Sequence, residues 1–296
     1  MGGEEIVAGL IAAAGVNWIA ACARDKPITV GSKNFTEQVI LGEIVAQHVS
    51  LRLSQRVDRK LNLGGTLLAH QAMLQGGLDL YPEYTGTALT AILKLPLSSD
   101  PAKTFAKVRA EYQARFGILW LEPLGFNNTF AMVIRGEDAR KYRIETLSDA
   151  AGHANGWTLG VGYEFQQRPD GLPGLMKTYK LPLKRSPRTM DLGLLYKALE
   201  QKQVDMVAAN ATDGQLSVMN VKVLKDDKRY FPPYQAALTV RADALAAHPG
   251  LKEALDLLSG KFSDEIMRAL NYQVDGKHRP VNEVAVTFLR AAGFMA

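Results

Sequence analysis

The sequence predicts an α/β protein built from two similar units with a cleft between them. Its 296 residues suffice for two domains, and 47% are hydrophobic, which is ordinary for a chain with a sizeable core. Short apolar segments alternate with segments whose apolar residues recur at helical spacing, and this alternation restarts near residue 128. Because strands that alternate with helices form parallel sheets covered by helices, we expect one mostly parallel sheet in each unit.

The first unit follows a β-α-β-α-β order. ITVGS (28–32) predicts a strand, and the helical pattern after it has Thr36 and the acid Glu37 in its first turn. Further strands are predicted in RVDRKLNLGGT (56–66) and LDLYPEY (78–84), with LLAHQAMLQGG (67–77) as the helix between them. YPEYTGTA (81–88) predicts a strand end, a turn and the next helix, since proline and glycine interrupt strands. Such loops of open α/β sheets often bind ligands.

The second unit repeats the rhythm. It is predicted to comprise a strand in LGFNNTFAMVIR (124–135), a helix from ETLSDAAGH (145–153), a strand and then a loop in WTLGVGYEF (157–165), a helix in DLGLLYKALEQKQ (191–203), and strands in VDMVAANATDG (204–214) and VKVLKDDK (221–228). Two extended crossovers, near 126–130 and 234–238, would join the units. We therefore assign residues 27–127 and 236–296 to the first lobe and 128–235 to the second.

The N-terminus predicts an export signal. Residues 6–23 are apolar and rich in alanine and glycine, and Cys22 follows the small residues of IAAC. This resembles a bacterial lipobox, so residues 1–22 are predicted to be a lipoprotein leader and Cys22 to be lipidated. The alternative is a buried alanine-rich helix with an incidental cysteine, which the acidic residues Glu4 and Glu5 favour.

The sequence offers little that could support catalysis. Cys22 is the only cysteine, and the five histidines form no close metal-binding pair. No Walker A sequence, complete dinucleotide fingerprint or serine nucleophile elbow is present. The net charge is +5, but the basic residues are scattered, which disfavours nucleic-acid binding. We therefore predict no catalytic residue, metal or cofactor.

The loops at the predicted strand ends instead carry rings, cations and a hydroxyl. Aromatic faces attract a desolvated quaternary ammonium by about 0.5–2 kcal/mol per contact. Arginine and lysine suit a carboxylate. Together they predict a receptor for a small zwitterion, with these candidate residues: Lys33, Tyr84, Thr87, Phe130, Arg168 and Tyr234.

Six segments in order along residues 27–296 carry a family resemblance. GSKNFTEQ, LGGT, YPEYTGTA, RPDGLP, DDKRYFPPY and MRALNYQVD resemble the glycine betaine/choline substrate-binding proteins of ABC importers. The resemblance implies the two-lobed periplasmic-binding-protein type II fold, with the ligand in the cleft between lobes.

The resemblance also implies roles for the candidates. By position, Lys33, Thr87 and Arg168 match the carboxylate side of the family's site. Three walls of its aromatic box match Tyr84, Phe130 and Tyr234. Phe130 stands where a tyrosine is common, and Asn210 replaces the fourth aromatic wall, so we expect a weaker ammonium site or a ligand whose polar group meets Asn210.

Lys33 and Arg168 together favour a ligand that carries a carboxylate over free choline. Glycine betaine, proline betaine, carnitine and a betaine of an aromatic amino acid all remain open. The implied partners are this zwitterionic ligand and the permease and ATPase of an ABC importer. The resemblance further implies a monomer outside the cytoplasm, at the membrane only through its lipid anchor, that takes up an osmoprotectant.

Two other functions share the fold. One is a sensory module that presents its ligand to a receptor. The other is a dehydratase-like enzyme of the cyclohexadienyl dehydratase kind, which needs an acid or base in the cleft. Glu83 and Glu164 are the nearby candidates for that role.

Overall fold

A computed structural model describes residues 26–295. The predicted leader and Cys22 lie outside these residues. None of the helices within 26–295 combines the length and apolar character needed to cross a membrane.

The first sheet has five strands in the order β2-β1-β3-β10-β4. These strands are β1 (Ile28–Gly31), β2 (Val57–Lys60), β3 (Leu80–Tyr84), β4 (Ile118–Asn127) and β10 (Gln235–Arg241). The first two pairs are parallel, and β10 runs antiparallel to both β3 and β4. Four strands therefore share one direction, as predicted. The fifth strand, β10, comes from the segment that follows the second unit and returns to this sheet.

The second sheet has the order β7-β6-β8-β5-β9. Its strands are β5 (Phe130–Arg135), β6 (Leu159–Val161), β7 (Arg188–Thr189), β8 (Met206–Asn210) and β9 (Val221–Val223). Here β5, which follows directly from β4 of the other sheet, is the strand that runs against the rest. The two sheets flanked by helices confirm the predicted fold class.

Helices cover both sheets. They are α1 (Thr36–Leu53), α2 (Thr66–Leu74), α3 (Thr85–Thr87, continued by a π-helical turn over Ala88–Ile92), α4 (Pro101–Phe116), α5 (Gly136–Tyr142), α6 (Leu147–Ala151), α7 (Tyr163–Gln167), α8 (Leu172–Tyr179), α9 (Leu195–Glu200, preceded by a 3-10 turn over Leu192–Leu194), α10 (Ala242–Ala247), α11 (Leu251–Asp256), α12 (Asp264–Asp275) and α13 (Val281–Ala291). A further 3-10 turn covers Gly214–Ser217. The prediction of a loop after β6 is wrong in one respect, because the first residues of that segment form the short helix α7.

The chain passes between the sheets twice, at residues 128–129 and just before β10. Each sheet has its own apolar core, with Trp120 buried in the first unit and Trp157 in the second. Contacts also join the units, since α12 of the first packs against the 3-10 turn Gly214–Ser217 of the second. The strand ends of both sheets thus face a shared cleft.

Candidate functional site

A cavity of about 530 Å³ lies between the two units. This volume falls within the range typical of small-molecule sites, about 300–1,000 Å³. All seven ligand-binding residues predicted from the sequence line it: Lys33, Tyr84, Thr87, Phe130, Arg168, Asn210 and Tyr234. The fold therefore brings together residues from both sheets and both crossovers.

The end of β3 positions one wall of the cavity. Tyr84 is its last residue and pairs with Ala236 of β10, two residues after Tyr234. The chain then turns at once into α3, where Gly86 packs so closely that a Cβ atom would lie 2.8 Å from the carbonyl oxygen of Pro233. Glycine at this position therefore allows the segment with Thr87 to lie against the crossover that carries Tyr234.

Lys33 is buried at the end of β1 and already has an acidic partner. Its Nζ atom lies 2.6 Å from Oε1 of Glu83 and donates to the hydroxyl of Thr66 at 3.4 Å. The same ammonium sits 4.8 Å from the centre of the Tyr84 ring. The positive charge expected to meet a ligand carboxylate is thus balanced within its own unit.

Arg168 is likewise paired. Its Nε and Nη2 atoms donate to Asp170 at 3.0 and 2.5 Å, and Nη1 makes a longer contact of 3.4 Å with Glu164. Burial alone would lower the pKa of Arg168, but the bonds to Asp170 outweigh it and raise the pKa. Nη1, which has the weakest of these contacts, is the atom best placed to bind a ligand.

The guanidinium group of Arg168 also lies against two of the predicted box rings. It is 5.2 Å from the centre of Phe130 and 5.9 Å from that of Tyr234. The Tyr234 hydroxyl donates to Asp170 at 2.5 Å. Cations and aromatic rings therefore alternate in this part of the cavity. The family resemblance instead implied one side of the site for the ligand carboxylate and another for its ammonium group. The pairing of both cations weakens the argument that they mark a ligand carboxylate.

Asn210 lies opposite Phe130 in the pairing of β5 with β8. Its backbone N–H donates to Asp213 at 3.0 Å, and its amide Nδ2 makes a contact of 3.4 Å with the other oxygen of that carboxylate. Tyr196 of α9 donates its hydroxyl to Asp213 at 3.0 Å and also lines the cavity. The ring of Tyr196 therefore lies near Asn210, the residue at which the resemblance predicts that the fourth aromatic wall is missing.

Glu37 is a cavity residue that the sequence analysis assigned only to a helix start. It is buried and accepts four hydrogen bonds from neutral groups in both units. The donors are Tyr84 (2.6 Å), Asn128 (2.8 Å), Thr212 (2.5 Å) and Asn271 (3.3 Å). Burial raises the pKa of Glu37, and the four hydrogen bonds oppose that effect. No local sequence signal marks it, because its partners are distant in the chain.

Two further acids line the same part of the cavity. Burial, together with the nearby Glu37, raises the pKa of Asp213 to about 7; the residue as a whole is partly exposed and lines the cavity. Burial also raises the pKa of Asp275, which accepts a hydrogen bond from Thr36 at 2.6 Å. We call Glu37, Asp213 and Asp275 the acidic end of the cavity. It favours a ligand with positive charge or hydrogen-bond donors.

Glu83 and Glu164, the two candidates for a catalytic acid or base, both accept hydrogen bonds from protein groups. Glu83 accepts from Lys33, from the Tyr81 hydroxyl at 3.0 Å and from the backbone of Tyr84 at 2.7 Å. Glu164 bonds Thr66 across the cleft. Burial would raise the pKa of Glu164, but the nearby cations Lys33 and Arg168 lower it overall. A lowered pKa suits neither a general acid nor a strong base. Within residues 26–295, no cluster of three potential metal ligands occurs.

Comparison with known proteins gives consistent matches. The family described as the substrate binding domain of ABC-type glycine betaine transport systems matches residues 26–291. The chain is 37% identical over 265 residues to the carnitine transport binding protein OpuCC of Listeria monocytogenes, covering 89% of this chain and 86% of that protein. A solved structure of a glycine betaine/carnitine/choline ABC transporter shares 32% identity with a TM-score of 0.75, covering 90% of this chain and 99% of that one.

A further relative is the ergothioneine transport permease/ergothioneine binding protein EgtU of Helicobacter pylori (strain G27). It is 38% identical over 274 residues, which cover 91% of this chain. They cover 48% of EgtU, so this chain spans about half the length of that relative. Together these similarities confirm the resemblance that the six sequence segments predicted.

Proposed function

Because the chain belongs to the substrate-binding-domain family of ABC-type glycine betaine transport systems, we propose that it captures a betaine-type zwitterion for uptake. The observation that carries this proposal is the shared cavity, where residues from two lobes place rings, cations and acids around one space. The protein makes and breaks no covalent bond. Capture consists of binding in the cleft and delivery to a permease.

The seven residues predicted from the sequence serve as the ligand-binding set in this proposal. The ring faces of Tyr84, Phe130 and Tyr234 bind the quaternary ammonium. Thr87 and Nη1 of Arg168 bind the carboxylate. Lys33, whose Nζ atom lies 4.8 Å from the centre of the Tyr84 ring, contributes its positive charge. Asn210 stands beside the acidic end, where it meets the rest of the ligand.

The size of the cavity favours a betaine larger than glycine betaine. Glycine betaine is among the smallest zwitterions of this class and would leave much of about 530 Å³ to water. Carnitine and the betaine of an aromatic amino acid fill more of the space. OpuCC is named for carnitine and EgtU for ergothioneine, a betaine of the second kind, and both relatives are consistent with this choice.

The surroundings of the protein follow from the same proposal. The mature chain works outside the cytoplasm as a monomer, held at the membrane by a lipid on Cys22. It delivers its ligand to the permease and ATPase of an ABC importer.

Calorimetric titration of the purified protein with glycine betaine, choline, carnitine and ergothioneine tests the proposal. We expect the two bulkier betaines to bind most tightly and choline, which has no carboxylate, to bind weakly. Binding of an ordinary α-amino acid with no heat from any betaine would contradict the proposed ligand class.

A further inference from the structure

Within residues 26–295, the acidic end of the cavity forms no salt bridge with a lysine or arginine. Glu37, Asp213 and Asp275 accept hydrogen bonds from neutral groups only. By contrast, Lys33 and Arg168 in the cavity each form a salt bridge with a protein carboxylate. A ligand that reaches the acidic end therefore meets acceptors and negative charge.

Two acids of the acidic end, Glu37 and Asp213, differ in their free acceptor capacity. A carboxylate offers about four acceptor positions. Protein donors fill all four on Glu37. On Asp213, the backbone of Asn210 and the hydroxyl of Tyr196 both donate to Oδ2, whereas Oδ1 has a single contact, of 3.4 Å, with the amide of Asn210. Within the described residues, Oδ1 of Asp213 therefore retains room for a donor from the cavity.

The position of Asp213 suits this role. It lines the cavity and stays partly accessible, while β8 and α9 hold its other oxygen in place. Its Oδ1 atom lies 3.4 Å from the amide of Asn210, the residue at which the resemblance predicts that the fourth aromatic wall is missing.

We infer that Asp213 is a specificity-determining residue, which accepts a hydrogen bond from an N–H or O–H group on the side chain of the ligand. This inference rests on the proposed function and narrows its ligand class. The ligand is a betaine whose quaternary ammonium and carboxylate carry a further, hydrogen-bond-donating group. Glycine betaine, which has no such group, gains nothing from Asp213.

The test combines a matched ligand pair with a matched variant pair. The probes are ergothioneine, whose thione ring carries two N–H groups, its analogue methylated on both ring nitrogens, and glycine betaine. The variants are Asp213→Asn, which keeps the shape but removes the charge, and Glu200→Gln, which changes an exposed acid of the same unit that does not line the cavity. Affinities are measured by calorimetry at pH 8, with thermal unfolding of each variant as the folding control.

We expect Asp213→Asn to weaken ergothioneine binding by about 10- to 100-fold, because a hydrogen bond to a charged group is lost. Binding of the dimethylated analogue and of glycine betaine should change by about twofold or less. Glu200→Gln should leave all three affinities nearly unchanged. The wild-type protein should prefer ergothioneine to the dimethylated analogue by about tenfold or more, and this comparison holds even if the Asp213 variant does not fold.

Equal weakening of all three ligands in Asp213→Asn would overturn the inference, since Asp213 would then supply only a general negative charge. Equal binding of ergothioneine and its dimethylated analogue to the wild-type protein would overturn it as well. Both results leave the proposed function intact. Failure of the wild-type protein to bind any betaine would instead refute the proposed function and the inference together.

Discussion

At the residue scale, the cavity shows how pairing changes the role of a charged side chain. Lys33 and Arg168 both lie where the family resemblance placed them, but each has a carboxylate partner in the protein. A paired cation is a weaker attractor for a ligand carboxylate than a free one, because its field is already balanced. Arg168 can still orient a ligand by a directed hydrogen bond, since its planar guanidinium group holds Nη1 in a fixed position relative to Asp170.

Substitutions of Arg168 separate its charge from its geometry. Arg168→Ala leaves Asp170 without its cation in a fully buried position, so we expect a loss of about 3–5 kcal/mol in the free energy of unfolding. Arg168→Lys keeps a positive charge but cannot bond Asp170 and a ligand together, so we expect a smaller loss of stability and at least about tenfold weaker betaine binding. Urea unfolding and calorimetric titration measure the two effects.

Arg185→Lys on the exposed surface is the matched control and should behave as the wild type. If Arg168→Lys bound betaine as tightly as the wild type, Nη1 would have no role in the ligand site.

At the scale of secondary structure elements, helix α2 depends on the opposite unit at its first turn. Its N-cap residue, Gly65, has no side chain to accept from the free backbone N–H groups there. Glu164 of α7 does so across the cleft, with its carboxylate 2.5 Å from the backbone nitrogen and 3.1 Å from the hydroxyl of Thr66. A helix N-terminus favours a negative charge at this place. The contact therefore links capping of α2 to closure of the cleft.

The substitution Glu164→Gln tests this link. We expect ligand affinity to fall about 2- to 30-fold, because an N-cap contact and its charge together contribute about 0.5–2 kcal/mol to the closed form. The unfolding temperature of the ligand-free protein should change little. Calorimetry and thermal unfolding provide the two readouts.

The control for this prediction is Glu200→Gln, which removes an exposed carboxylate at the end of α9 in the same unit. If Glu164→Gln destabilised the ligand-free protein as strongly as it weakened binding, the contact would support the fold and would not be specific to the ligand-bound form.

At the scale of the whole molecule, two α/β units share one chain that crosses between them twice. The side-chain contacts between the units include one group around Glu164 and another around Glu37, where Thr212 and Asn271 meet. Ligand binding shifts an open–closed equilibrium only through contacts that differ between the two states. A ligand that touches both lobes of the cavity provides such contacts.

The acidic end also gives the whole molecule a pH-dependent stability. The pKa of Asp213 is about 7 in the folded protein, against an ordinary value of 3.8 for an aspartate, so the folded state binds more protons than the unfolded state between these pH values. Its contribution to stability is therefore present at low pH and is lost as the pH rises through about 7. We expect Asp213→Asn to be more stable than the ligand-free wild type by about 4 kcal/mol at pH 8 and to match it near pH 4, since each pKa unit corresponds to about 1.4 kcal/mol.

Urea unfolding of both proteins from pH 4 to pH 8 measures this difference, which isolates Asp213 from the other titrating groups. A difference that stayed constant over the whole pH range would show that the carboxylate does not titrate as described. The same titration predicts that a betaine with a hydrogen-bond-donating side chain binds more weakly as the pH falls below about 7, since protonated Asp213 is a weaker acceptor, whereas the affinity for glycine betaine should change little.

Much of this architecture could be predicted from local sequence patterns. The alternation of strands and helices, the restart near residue 128 and the two crossovers follow from hydrophobic spacing and turn residues, which are properties of short segments. The loops at the strand ends predicted six residues and the family resemblance added Asn210, and the fold places all seven around one cavity. These loops converge because strands of one sheet end at a common edge.

The remainder was decided by packing between segments that are far apart in the chain. Glu37 meets Thr212 across 175 positions, Glu164 meets Thr66 across 98, and Lys33 meets Glu83 across 50. Periodicity and motif spacing describe neighbours in sequence and carry no information about such partners. By itself the sequence determined the two units, their family and the residues around the cleft. Only the tertiary structure decided which charges are paired, which acids are buried and which carboxylate still faces the cavity, because burial and pairing depend on the three-dimensional neighbours of each group.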